Sequence, residues 1–161
     1  MTAAVAPRLL SQGELRIARL LALGKTNHEI ADELGIALAT VSVHRVSIRK
    51  KLGCPFRCSN AVLAHHLYES GEVSPPNAVT PVPELSGQEV GLIHAITERT
   101  RPYDIARTAH VAARDFHSTL AELLDKTGAA NTAQLVAFAY AWSLLGKEPR
   151  QQPAIGNTQS D

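Results

Sequence analysis

Residues Thr26 to Gly53 read TNHEIADELGIALATVSVHRVSIRKKLG, and this stretch decides the fold. Thr26 and Glu29 have the spacing of a capping box, which starts a helix that carries Ile30, Ala31 and Leu34 on one face. Gly35 then supplies a tight turn, because glycine accepts the left-handed backbone that ends a helix at no steric cost. A further helix is predicted to begin near Ala39 and to stop at Gly53. Helix, glycine turn, helix is the arrangement whose second member enters a DNA major groove.

A helical wheel tests whether that second helix suits the task. At 100 degrees per residue, Val41, Ile48 and Leu52 fall within about 20 degrees of one another and form a buried stripe. The opposite face carries Ser42, Val43, Val46, Ser47 and Lys50, with Arg49 beside it and His44 and Lys51 on the other flank. Arg49, Lys50 and Lys51 stand towards the C-terminal end, where cations neutralise phosphates. Ser42 can hydrogen-bond to several bases, and Val43 and Val46 can pack on thymine methyls.

Reading outward, Ser11 and Glu14 form another capping box, followed by Leu15, Ala18, Leu21 and Ala22 on one face and by Gly24 as a stop. A short fourth helix is expected from about Asn60 to Tyr68. The pattern then returns. Ser11/Glu14, Ile30/Ala31 and Gly53 recur as Ser86/Glu89, Ile105/Ala106 and Gly128, each 75 residues later. Residues 73–84 between the copies hold four prolines and read as an extended linker, and residues 147–161 read as a disordered tail.

The second copy keeps the frame and changes the charge. Phe116, Leu120 and Leu123 make its buried stripe, while His117, Ser118, Ala121, Glu122 and Asp125 face outward and Lys126 lies on the flank. Two carboxylates at groove distance would be repelled by phosphates. His110 stands where Gly35 stood, and Arg101 followed by Pro102 stands where Thr26 stood. A less specific DNA contact through Arg99, Arg101, Arg107 or Arg114 is the competing reading of this copy.

Leu10 to Leu67 resembles the LuxR/GerE-type DNA-binding domain of bacterial response regulators, through LSQGE, LLALGKTNHEIADELGI and TVSVHRVSIRKKLG. Leu85 to about Leu145 resembles it more weakly, through LSGQE, DIA and Gly128. The resemblance implies backbone contacts from Thr40, His44 and Lys50 and base contacts from Ser42, Val43 and Val46. With Thr26, Asn27, Arg45, Ser47, Arg49 and Lys51 these make up the expected DNA-binding set. The chain departs from the family where Ser42 replaces a common lysine and where Arg45 takes a position that is usually apolar.

Family members commonly pair through their fourth helices. The last helix here, expected over Thr132–Leu145, is unusually apolar, with Leu135, Val136, Phe138, Ala139, Ala141, Trp142 and Leu145. So wide a stripe exceeds what one small domain buries. Leu135, Phe138, Ala139, Trp142 and Leu145 are therefore the expected partner surface, for Val62, Leu63 and Leu67 of the same chain or for a second chain. The ordinary alternative is that Phe138 and Trp142 simply close their own domain.

The totals agree. In 161 residues, 45% apolar with only seven aromatics, the core must be aliphatic, which favours packed helices. Through Glu72 nine Lys/Arg meet six Asp/Glu, whereas seven meet nine afterwards, so nucleic acid would be met by the first half. No stretch has the length of a membrane span and the opening residues lack a cleavage pattern, so a cytoplasmic, nucleoid-associated protein is expected. Cys54 and Cys58 are expected as free thiols; a zinc site with His65 or His66 and a redox-sensing pair are both set aside. No nucleophile and base, phosphate loop or carboxylate pair stands out, so neither an enzyme nor a cofactor is expected.

The expected protein is thus all-α, with four-helix LuxR-type helix-turn-helix domains over 8–72 and 85–146 and no sensory domain ahead of them. Its expected partner is double-stranded DNA, bound as a homodimer or an intramolecular pseudo-dimer. The alternative is an adaptor that binds a sigma factor, RNA polymerase or another regulator.

Overall fold

The computed structural model describes residues 9–55, 57–77 and 81–146, and the expected tail at 147–161 lies outside them. Eight α-helices and one 3-10 turn, with no strand among the described residues, make the protein all-α. The helices are α1 (Gln12–Ala22), α2 (Asn27–Leu34), α3 (Leu38–Leu52), α4 (Asn60–Ser70), α5 (Gly87–Glu98), α6 (Pro102–Ala109), α7 (Phe116–Thr127) and α8 (Thr132–Ala141). The 3-10 turn, Ala113–Asp115, leads into α7. Among the described residues, no helix is long and apolar enough to cross a membrane.

Local chemistry sets the helix ends. Capping boxes open α1 at Ser11/Glu14, α2 at Thr26/Glu29 and α5 at Ser86/Glu89, satisfying backbone N–H groups that have no partner inside a helix. Ser59 and Asn131 accept from backbone N–H groups at the starts of α4 and α8. Gly35 and Gly53 close α2 and α3 in the left-handed conformation at φ +67° and +70°. His110 does the same for α6 at φ +61°, so this turn forms without glycine. Pro102 occupies the first turn of α6, where its missing N–H costs nothing.

One apolar core runs through both halves of the chain. α1, α4, α5 and α8 form its centre; α2 and α3 attach to α1 and α4, and α6 and α7 to α5 and α8. The closest helix pairing between the halves is α4 on α8. The linker described at 73–77 and 81–83 has neither helix nor strand, and Val73 is buried.

The last helix is shorter than expected. α8 stops at Ala141, where the Trp142 N–H bonds to Phe138 O, and Ser143 turns the chain at φ +64°. Leu144 N–H then folds back to Ala139 O at 2.8 Å. Trp142 and Leu145 therefore leave the helix yet stay buried, together with Leu135 and Ala139, while Phe138 is half-buried. Their burial is satisfied within this chain.

Polar contacts tie the halves reciprocally. Asn131 Nδ2, at the start of α8, donates to Gly24 O just past α1 at 2.9 Å, and the Ser59 N–H, at the start of α4, donates to Thr100 Oγ1 just past α5 at 3.1 Å. Gly24 suits this contact twice over. Its φ is +89°, and a Cβ there would lie 2.8 Å from Asn131 Oδ1 and 2.9 Å from Gln134 Cβ.

Candidate nucleic-acid interface

α3 is fixed from behind by Val41 and Ile48, both fully buried, with Leu52 half-buried. Its opposite face opens to solvent. Thr40, Ser42, Val43, Val46 and Lys50 are exposed, and Val43 and Val46 retain 66% and 55% of their surface. Leu38, in the first turn, is 39% exposed. Thr26 and Asn27, at the start of α2, stand exposed and half-buried respectively.

Several expected contacts are committed elsewhere. Arg45 Nη1 donates to Asn27 Oδ1 at 3.0 Å and its Nη2 donates to Asn60 Oδ1, so this guanidinium braces α3 against α2 and α4. An arginine in a usually apolar position is explained by that brace: its half-buried stem packs and its head finds two amide oxygens. Burial lowers the Arg45 pKa, and Arg49 adds to the shift. Asn27 is likewise used inside the fold.

Ser47 and Lys51 also turn inward, to Glu14 of α1. Ser47 Oγ donates to Glu14 Oε2 at 2.5 Å and Lys51 Nζ to Oε1 at 2.7 Å, while the Ser11 N–H donates to the same Oε1 at 2.9 Å. Glu14 is only 5% exposed. The Lys51 hydrogen bond foremost, with Ser47 and Ser11, holds its carboxyl down at about 2. Capping-box spacing announces the bond to Ser11; nothing in the spacing announces the reach to α3. Arg45, Ser47 and Lys51, expected as DNA contacts, thus also brace α3 within the fold, and the Lys51 side chain keeps 40% of its surface.

Arg49 is half-buried, with its Nε enclosed and lacking a hydrogen-bond partner among the described residues, and His44 is half-buried. Lys50 is exposed, as Lys51 is in part, beside the apolar and hydroxyl groups that could meet base edges. Such a face can offer phosphate attraction at one point and van der Waals contact along the rest.

α7 has the same scaffold and a different surface. Phe116 and Leu123 are buried and Leu120 half-buried, and Lys126 donates to Glu89 Oε1 at 2.9 Å, as Lys51 does to Glu14. His117, Ser118, Ala121, Glu122 and Asp125 are exposed, and Asp125 holds the position 75 residues beyond Lys50. Among the described residues no group of three or more His, Cys, Asp or Glu side chains could hold a metal ion.

Residues 8–64 match the family of bacterial regulatory proteins called the luxR family. The chain is also similar to the transcriptional regulatory protein LiaR of Bacillus subtilis (strain 168), 46% identical over 56 residues. That match covers 35% of this chain and 26% of LiaR, so the chain spans about a quarter of the length of this relative. No solved structure matches the chain. Residues 8–64 are, on the family match and the α2–turn–α3 geometry together, a luxR-type helix-turn-helix domain.

Proposed function

We propose that the protein is a transcription regulator that binds duplex DNA by laying α3 in the major groove, with Lys50 and Thr40 on the backbone and Ser42, Val43 and Val46 at base edges. The observation that carries this reading is the exposure of those five residues on one face of α3, opposite the fully buried Val41 and Ile48. His44 and Arg49 flank that face, and Thr26 at the start of α2 is the backbone contact from the preceding helix.

The second half, α5–α8, is read as a degenerate copy that serves as an internal pairing partner. What supports this is the reciprocity of Asn131 with Gly24 and of Ser59 with Thr100, the layout of a two-fold interface within one chain. Glu122 and Asp125 keep α7 from adding affinity for a polyanion.

A protein-binding adaptor is the second reading, favoured by one observation: α3 exposes three aliphatic side chains, Leu38, Val43 and Val46, around few free cations. Fluorescence anisotropy with labelled duplexes selected from a random pool separates the two. DNA binding predicts affinity that falls steeply with salt, is lost in Lys50→Glu and survives Asp125→Ala, with the salt slope of Lys50→Ala reduced by about one. No duplex binding at low salt would leave the adaptor.

A further inference from the structure

The turn between α3 and α4 brings the chain's two cysteines together. Past Gly53, the Cys54 N–H donates to Arg49 O at 3.0 Å, and the Cys58 N–H donates to Pro55 O at 3.2 Å, so the backbone reverses on itself. Between them Arg57 is held at φ +62°. A left-handed backbone is unfavourable for a residue with a Cβ and persists only where the surroundings enforce it.

The strained turn brings Cys58, 4% exposed, near half-buried Cys54, close enough that each thiol acts on the ionisation of the other. The charges of Arg49, from the last turns of α3, and of Arg45 both act on the Cys58 sulfur. Two thiols and two guanidinium groups therefore meet at the foot of the exposed helix. His65 and His66 do not complete a metal site with them, as no such group exists among the described residues.

We propose that Cys54 and Cys58 form a redox modification site that a hydroperoxide converts to an intramolecular disulfide. The Cys58 sulfur attacks one peroxide oxygen; the O–O bond breaks, hydroxide leaves and is protonated to water, and Cys58 becomes a sulfenic acid, oxidised by two electrons. The Cys54 sulfur then attacks Cys58, the S–S bond forms, the S–O bond breaks and a second water leaves. Two thiols and one hydrogen peroxide become one disulfide and two waters.

The surroundings divide the labour. The neighbouring Cys54 thiol foremost, with Arg49, lowers the Cys58 pKa and favours the thiolate that attacks. Cys58 in turn, with burial, raises the Cys54 pKa, so Cys54 keeps a proton and acts second. Oxidation removes the sulfur charge that Arg49 and Arg45 face, which couples the state of the thiols to the cations of α3.

The test uses the full chain, reduced, freed of reductant and treated at neutral pH with a few equivalents of hydrogen peroxide, then alkylated with N-ethylmaleimide and weighed intact. The expected product has lost two hydrogens and carries no maleimide, and it forms roughly tenfold faster than cystine forms from free cysteine. Cys54→Ser should stop at a sulfenic acid on Cys58 that dimedone traps; Cys58→Ser should resist oxidation; Arg49→Gln should slow it. Circular dichroism confirms that each variant is folded, and Cys54→Ser, at the less buried position, keeps the test open should Cys58→Ser fail to fold. Two alkylated cysteines after peroxide, a disulfide formed only between chains, or no dimedone adduct on Cys58 overturns the proposal. None of these measurements involves DNA, so the thiol chemistry stands or falls separately from DNA binding.

Discussion

The Tyr140 hydroxyl lies 2.7 Å from His65 Nδ1, and the two residues occupy positions 75 apart, the same spacing that relates the capping boxes and closing glycines of the two halves. The Tyr140 ring also lies against Tyr68, with centroids 4.9 Å apart. This seam joins α4 to α8 and holds the halves in register.

Tyr140→Phe keeps the ring and removes the hydrogen bond, and should destabilise the fold by about 1 kcal/mol, read as a lower melting temperature. Burial, the largest cause, lowers the His65 pKa from 6.5; Glu69 and Glu98 oppose it and His66 and His94 add to it. The folded state therefore binds the proton less readily than the unfolded one. The stability this contributes is complete above about pH 6.5 and fades as pH falls below it. Between about pH 7.5 and about pH 5.5 the wild type should lose more thermal stability than His65→Gln.

Gly24→Ala should be the costliest glycine substitution in the protein's turns. Left-handed strain and the contacts with Asn131 and Gln134 act together, for about 3 kcal/mol. Gly71→Ala, at φ +83° with open space around it, should cost only about 1 kcal/mol. Equal losses in urea melts of the two variants would refute a close approach between α1 and α8 at this point.

His110→Gly should act in the opposite direction. His110 is exposed and left-handed at φ +61°, so relief of the Cβ strain should stabilise by about 1 kcal/mol and raise the melting temperature by about 3 °C. An unchanged or lower melting point would show that the His110 side chain makes up for its backbone.

Glu14→Gln removes the charge on which Ser11, Ser47 and Lys51 converge and should cost about 2 kcal/mol at neutral pH. Because the folded pKa is about 2 against an ordinary 4.5, the Glu14 contribution is complete above 4.5 and is lost as pH falls towards 2. The gap between wild type and Glu14→Gln in denaturant midpoint should accordingly narrow between pH 5 and about pH 3.

Much of this fold is written locally. Capping boxes need only a hydroxyl and a carboxylate three residues apart, closing turns need a residue that accepts positive φ, and the buried stripe of α3 needs only the helical period. Thr26 and Glu29, Gly35 and Gly53, Val41 and Ile48 are therefore legible in the residues alone. The exposed half of α3, from Ser42 to Lys50, follows from the same period.

The tertiary structure alone decided which cations stay free and what covers the last helix. Arg45 reaches Asn27 and Asn60 across 18 and 15 residues of sequence, and Lys51 reaches Glu14 across 37. Sequence periodicity says which face a side chain occupies but not which distant group its tip will meet, since that depends on how whole helices are packed. For the same reason the apolar excess of α8 was visible in the residues themselves, whereas its burial against α4 of its own chain was decided by the packing of the two halves.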